Sequence, residues 1–94
     1  MQISLCKIDG SRIDTIEDLY EQLSAQIRLP QHFARNLDAL WDALTAEIEG
    51  PLEIVWLNAD ESRKKLGDTY IRVKILLEEA AGERDDLTVR FEGD

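Results

Sequence analysis

Three short apolar segments with the composition of β-strands are separated along this chain by segments with helical patterns. The predicted strands cover residues 1–8, 52–57 and 87–91, and Asp9-Gly10 forms a turn after the first of them. Antiparallel neighbours can be joined by a tight turn, whereas parallel neighbours need a crossover of about a dozen residues or more, usually a helix. The order strand, two helices, strand, helices, strand therefore favours an α/β fold in which helices cover a parallel sheet.

Capping residues and apolar spacing define the two helices between the first and second strands. The first is predicted to begin at Asp14 or Thr15, because each has an acidic residue three positions later, and to stop at Pro30. The second begins at Asn36, a good N-cap residue, and ends at Gly50-Pro51. One apolar stripe runs along this second helix: Phe33, Leu37, Leu40, Trp41, Leu44 and Ile48.

The remaining helical sequence lies between the second and third strands. A polar connection that can form a helix covers residues 58–66. A final helix is predicted over 69–81 and is closed by Gly82. The inward positions of that helix are Tyr70, Val73, Leu77 and Ala80.

Length and composition indicate one domain, residues 1–94, with a small core. Hydrophobic residues make up 44% of the 94 residues and charged residues 33%, which argues against disorder. Twenty Asp and Glu against 11 Lys and Arg leave a net charge of −9. Such a charge disfavours nucleic acid and anionic membranes as partners, and it is compatible with a basic protein.

Cys6 is the single cysteine, so no disulfide can form within the chain, and its apolar neighbours predict a buried thiol. The first residues lack the pattern of a signal peptide, and no apolar stretch approaches the roughly 20 residues that span a bilayer. We therefore expect a cytoplasmic protein. We also expect a monomer in the absence of a partner.

The charge pattern is the most informative feature for function. Residues 36–62 contain seven acidic residues and no Lys or Arg. Helical spacing predicts that four polar residues line one side of the second helix, away from its apolar stripe: Asp38, Asp42, Thr45 and Glu49. This line is either a solvated acidic face or an anionic binding surface. Trp41, at the edge of the stripe beside Asp38 and Asp42, favours the binding surface.

Enzyme motifs are scarce. The sequence has no Gly-rich phosphate loop and no Cys or His cluster, and its single histidine, His32, fits a surface loop or a partner contact better than a catalytic base. An enzymatic hypothesis would make Asp38 and Asp42 a catalytic or Mg²⁺-binding pair. An exposed helix face lacks the concave setting that such chemistry needs, so we expect no catalysis, no cofactor and no metal.

Residues 29–45, LPQHFARNLDALWDALT, resemble the centre of the barstar family of intracellular ribonuclease inhibitors. The NLDALWD core of this run is quite specific. The resemblance continues through the proline-led strand at 51–56, the final helix and the strand at 86–89, so it covers nearly the whole chain. It implies a three-stranded parallel sheet packed with three to four helices.

The resemblance also implies a mechanism. In barstar-like inhibitors the second helix and the loop before it plug the active site of a basic ribonuclease, and acidic side chains occupy the place of RNA phosphates. Asp42 would be the principal phosphate mimic. The implied partner-binding residues are His32, Asp38, Trp41, Asp42, Thr45, Leu76 and Glu79.

Departures from the family concern the rim of this surface. His32 stands where the family has a tyrosine, Arg35 follows Ala34 in place of a glycine-containing step, Glu47 replaces an aromatic residue, and Ile75 replaces a polar one. The acidic core is kept, which favours an inhibitor whose cognate enzyme is not barnase itself. The alternative is a barstar-like interaction module that binds a basic partner other than a nuclease.

Two isoleucines on the final helix allow two interpretations. Ile71 and Ile75 are four residues apart and lie away from the predicted inward positions. They can form a second apolar patch next to Glu79, or they can be covered by the connection over 58–66. We expect them to be covered.

Overall fold

A computed structural model describes residues 3–93 of the protein. The strands are β1 (Ser4–Asp9), β2 (Leu52–Leu57) and β3 (Leu87–Phe91). The α-helices are α1 (Ile16–Gln26), α2 (Leu37–Asp42), α3 (Ala59–Leu66) and α4 (Asp68–Glu83). A 3₁₀ turn covers Gly10–Arg12, and a π-helical turn, Ala43–Glu47, continues α2. Within the described range, no helix is long and apolar enough to cross a bilayer.

The three strands form one parallel sheet in the order β1-β2-β3, with β2 at the centre. Cys6 in β1 lies opposite Ile54 in β2, and Ile54 lies opposite Val89 in β3. The prediction of a three-stranded parallel sheet with three to four helices is therefore confirmed. The predicted helical connection is confirmed as α3.

Trp56, in the central strand, is the largest side chain of the core and is 0% exposed. Its indole Nε1 donates a hydrogen bond to Ser62 Oγ at 2.9 Å, and that hydroxyl donates to the Gly10 carbonyl at 2.8 Å. A Cβ at Gly10 would lie 2.6 Å from Ser62 Oγ, so this approach requires glycine. These two buried hydrogen bonds satisfy the indole N–H of Trp56 and the hydroxyl of Ser62, and they join β2, α3 and the 3₁₀ turn.

The single cysteine is fully buried among apolar side chains, as predicted. Cys6 points into the core with Ile8, Ile54 and Trp56. Burial raises the pKa of its thiol to about 11, because the thiolate would lose its hydration. The thiol therefore stays protonated at neutral pH and has the role of a small apolar side chain.

Several element ends differ from the predicted ones. α1 begins after Thr15 as predicted, but it ends at Gln26 because Ile27 turns to an extended conformation and buries its side chain. α4 continues past Gly82 to Glu83, so Gly82 does not close it. The first strand begins at Ser4, and residues 1 and 2 of its predicted range lie outside the described residues.

The outer edge of β1 is closed by two glutamines of α1. Ser4 donates its N–H to the Pro51 carbonyl beside β2. Because the backbone groups of successive strand residues point to opposite sides, those of Lys7 and Asp9 point away from the sheet. Gln26 accepts from the Lys7 N–H at 2.8 Å and donates to its carbonyl at 2.7 Å. Gln22 does the same for Asp9, at 2.7 and 3.0 Å. The two amides occupy the place of a fourth strand and block pairing at this edge.

Replacing both glutamines with methionine tests this arrangement, because methionine keeps the length and helix propensity but cannot make these hydrogen bonds. Gln22→Met/Gln26→Met should lose about 1–3 kcal/mol of unfolding free energy and should self-associate more readily through the opened edge. Hydrogen exchange followed by NMR should show faster exchange of the Lys7 and Asp9 amides. Gln31→Met, in an exposed loop, is the matched control. Unchanged exchange at Lys7 and Asp9 would contradict the interpretation.

Candidate partner-binding surface

The second helix begins where the sequence predicts. The Asn36 side chain caps it by accepting the Ala39 N–H at 2.7 Å. Its underside is fully buried through Leu40, Ala43 and Leu44, which fixes the helix on the core. Asp38 and Asp42 lie one turn apart and are exposed, so their predicted outward position is confirmed.

After Asp42 the helix changes from α to π winding, which helical periodicity in the sequence does not predict. Ile48 donates its N–H to the Ala43 carbonyl at 2.9 Å, a bond between residues five apart that is typical of a π-helix. The helix ends at Glu47, and Ile48 is extended. The predicted line of four polar residues is therefore wrong at its end, because Glu49 lies beyond the helix.

Trp41 and Thr45 flank the two aspartates and are linked to each other. Trp41 is partly buried against the core, as its position at the edge of the apolar stripe predicted. The Thr45 hydroxyl donates to the Trp41 carbonyl at 2.7 Å. Since this bond uses the hydroxyl hydrogen, the oxygen of Thr45 is left as an acceptor. We call Asp38, Trp41, Asp42 and Thr45 together the acidic surface.

The loop before the helix is anchored to α1 by two residues that follow its exposed histidine. Phe33 packs edge-on against Tyr20, with ring centroids 5.7 Å apart. Arg35 forms an ion pair with Glu17 at 3.2 Å, so the positive charge that departs from the family pattern is engaged by α1. His32 is exposed between Pro30 and these anchors.

α4 supplies the other two predicted residues. It packs against α2 and the π-helical turn, with Leu76 partly buried against the core and Glu79 exposed. Ile71 and Ile75 are 43% and 48% exposed, so the expectation that they are covered is wrong. α3 leaves them exposed, and its last residue, Leu66, packs against the core.

A residue missed in the sequence, Arg84, connects α4 to the end of the second helix. Its Nη1 donates to the carbonyls of Leu44 and Ile48 at 2.8 and 2.7 Å. Its Nε and Nη2 form a fork with the Asp86 carboxylate at 2.8 and 2.9 Å. The contacts with Leu44 and Ile48 span 40 and 36 residues of chain, and no local pattern signals them.

No ion pair within the described residues neutralises the charges of the acidic surface. Within residues 3–93, neither Asp38 nor Asp42 has a salt-bridge partner, and residues 36–62 contain no cation of their own. The same described range holds no group of three or more His, Cys, Asp or Glu side chains arranged for a metal ion. The two aspartates are therefore free to attract an external cationic group.

Comparison with known proteins gives a family match and a similar curated protein. Residues 3–92 match the family model described as "Barstar (barnase inhibitor)". The chain is also 38% identical over 79 residues to "Putative ribonuclease inhibitor YrdF" of Bacillus subtilis (strain 168). That alignment covers 84% of this chain and 87% of the relative.

The charges of the acidic surface should give the fold no net stabilisation. Asp42→Asn removes a like-charge pair at i, i+4 and should raise the unfolding free energy by a few tenths of a kcal/mol at low salt. Asp38→Asn should be close to neutral, because Asp38 also interacts favourably with the N-terminal end of the helix dipole. Urea denaturation at low and high salt measures both effects. A loss of more than about 1 kcal/mol in Asp42→Asn would make that carboxylate a structural group.

Proposed function

The chain belongs to the barstar family, and we propose that it is a protein inhibitor of a ribonuclease that covers the active site of the enzyme and catalyses no reaction. The observation that carries this proposal is the acidic surface: two exposed aspartates that have no ion-pair partner among residues 3–93, on a helix whose underside is buried. Family membership supports the class of partner, and the exposure of the two aspartates supports the proposed mode of binding.

The chemistry of the partner explains why carboxylates suit this task. A ribonuclease must hold the phosphates of its substrate, so its active site presents cationic groups. A carboxylate offers two acceptor oxygens and a full negative charge, and it pairs well with arginine and lysine. We assign Asp42 as the principal phosphate mimic and Asp38 as its neighbour. Once both are buried against cations, removal of either carboxylate leaves a charge unpaired.

The remaining predicted residues would contact the partner around these carboxylates. Thr45 offers an acceptor oxygen, as a phosphate does. Trp41 offers a partly exposed aromatic ring of the kind that dominates binding hot spots. His32 would make its contact from the anchored loop, and Leu76 and Glu79 from α4. These roles follow from the family pattern together with the exposure of each side chain.

The altered rim suggests that the cognate enzyme differs from barnase. Ile71 and Ile75 are exposed on the helix that carries Glu79, so the partner would present an apolar rim there. The same feature keeps the alternative open: a basic partner that is not a nuclease and that also offers an apolar contact. An inhibition assay separates the two functions, because only a nuclease partner loses RNA-cleaving activity.

The oligomeric state and the location belong to the same proposal. The glutamines that close the β1 edge favour a free monomer. The single buried cysteine fits the reducing cytoplasm, where the chain would protect the cell that makes it.

Inhibition of RNA cleavage tests the proposal. Barnase and a panel of other basic microbial ribonucleases are assayed on a fluorogenic RNA, with and without the chain. For the enzyme that it inhibits, Asp42→Ala should weaken binding by about 2–5 kcal/mol, because the opposing cations stay buried and unpaired. Glu61→Ala, which removes the same charge from α3, is the control and should bind normally. If no enzyme of the panel is inhibited, the proposed function is wrong for that class.

The acidic surface should also steer association. Its field extends over about a Debye length, roughly 10 Å at 0.1 M salt. Association should approach about 10⁸ M⁻¹s⁻¹ at low salt and slow markedly as salt rises. Dissociation should change much less, since docked charges are shielded from solvent ions. Stopped-flow mixing from about 20 to 500 mM NaCl measures both rates. An association rate that is flat across this range would mean that the aspartates are only a solvated face.

A further inference from the structure

Arg84 lies where α4, β3 and the end of the second helix meet. Among the described residues, it forms no ion pair with Asp38 or Asp42. It follows α4 directly and precedes β3, and its side chain is 15% exposed. Four hydrogen bonds leave the guanidinium: two to the carbonyls of Leu44 and Ile48, and two to Asp86. The geometry thus places the end of α4 in direct contact with the end of the second helix.

The two carbonyls need this contact. The last carbonyls of a helix have no partner within it, and a cation near that end also interacts favourably with the helix dipole. The described part of the second helix has no basic residue in its last turn to supply one. Arg84 therefore caps, from a distant part of the chain, a helix end that has no basic residue of its own.

Asp86 neutralises the charge of this cap. Its carboxylate accepts both remaining bonds of the guanidinium fork, and the Arg84 hydrogen bond lowers the pKa of Asp86, so the pair stays ionised at neutral pH. Gly50 leaves the space for it, since a Cβ there would collide with the Asp86 carboxylate. The helix end is held by a cation that cancels little of the negative field of Asp38 and Asp42.

We infer that Arg84 is a positioning residue for partner binding, because it fixes the π-helical turn that carries Thr45 relative to the helix that carries Leu76 and Glu79. This inference rests on the proposed inhibitor function. Arg84 would keep the turn that carries Thr45 and the helix that carries Leu76 and Glu79 in a fixed relative position, without contacting the ribonuclease itself.

Removal of the positive charge of Arg84 tests the inference, because charge and positioning predict opposite effects on binding. An acidic inhibitor held by charge alone should bind a cationic cleft as well or better after losing a cation. Positioning predicts the opposite for Arg84→Met. With the ribonuclease that the wild-type chain inhibits, dissociation should become about tenfold faster, the change that one charge-assisted hydrogen bond corresponds to, without slower association. Arg84→Lys should recover only part of this, because an ammonium cannot form the fork.

Arg63→Met is the matched control, since Arg63 is exposed on α3 and carries the same charge. It should dissociate at the wild-type rate. If Arg84→Met dissociates no faster than Arg63→Met while wild-type inhibition is intact, the positioning role is overturned and the inhibitor function stands.

Hydrogen exchange of the free chain gives a second readout that needs no ribonuclease. The Ile48 amide, bonded to Ala43, should exchange about tenfold faster in Arg84→Met. The Ile27 amide, bonded to Leu23 at the end of α1, should not follow it. Equal acceleration at both amides would show a global loss of stability and would overturn the inference. If the wild-type chain inhibits no enzyme, the proposed function fails, and this measurement still decides whether Arg84 fixes the helix end.

Discussion

The acidic surface has to be held in place by contacts that leave its carboxylates free. Ion pairs along the second helix would stabilise it, but they would neutralise the charges that we propose attract a cationic partner. The structure supports the helix elsewhere: Leu40 and Leu44 are buried beneath it, and Arg84 holds its last carbonyls while Asp86 balances the added charge. Support of the helix and the proposed recognition of a partner therefore use different atoms of the same helix.

Much of the fold is predictable because it follows local patterns. Apolar runs and capping residues place the strands and helices, and Asn36 caps the second helix as its residue type predicts. The burial of Cys6 and Trp56 follows from their position in short apolar strands. The parallel arrangement follows from helical crossovers between those strands. These features depend on a few neighbouring residues, so the sequence contains them directly.

The unpredicted features depend on contacts across long stretches of chain. Periodicity places Asp38 and Asp42 correctly, yet it does not distinguish an α-turn from the π-helical turn that moves Glu49 off the helix. The glutamine bonds at the β1 edge and the Arg84 cap join residues about 13 to 40 positions apart. Leu76 and Glu79 enter the candidate site only through family resemblance, since the packing of α4 on α2 has no local signal.

The burial of the single thiol has a practical consequence. With a pKa near 11 and no exposed surface, Cys6 is unreactive toward the maleimide reagents that modify thiolates at neutral pH. A second cysteine introduced at an exposed position, such as Glu49, would then be the only group labelled. Cys6 therefore need not be replaced before labelling, and a fluorophore can be attached at the introduced thiol without removing a core side chain.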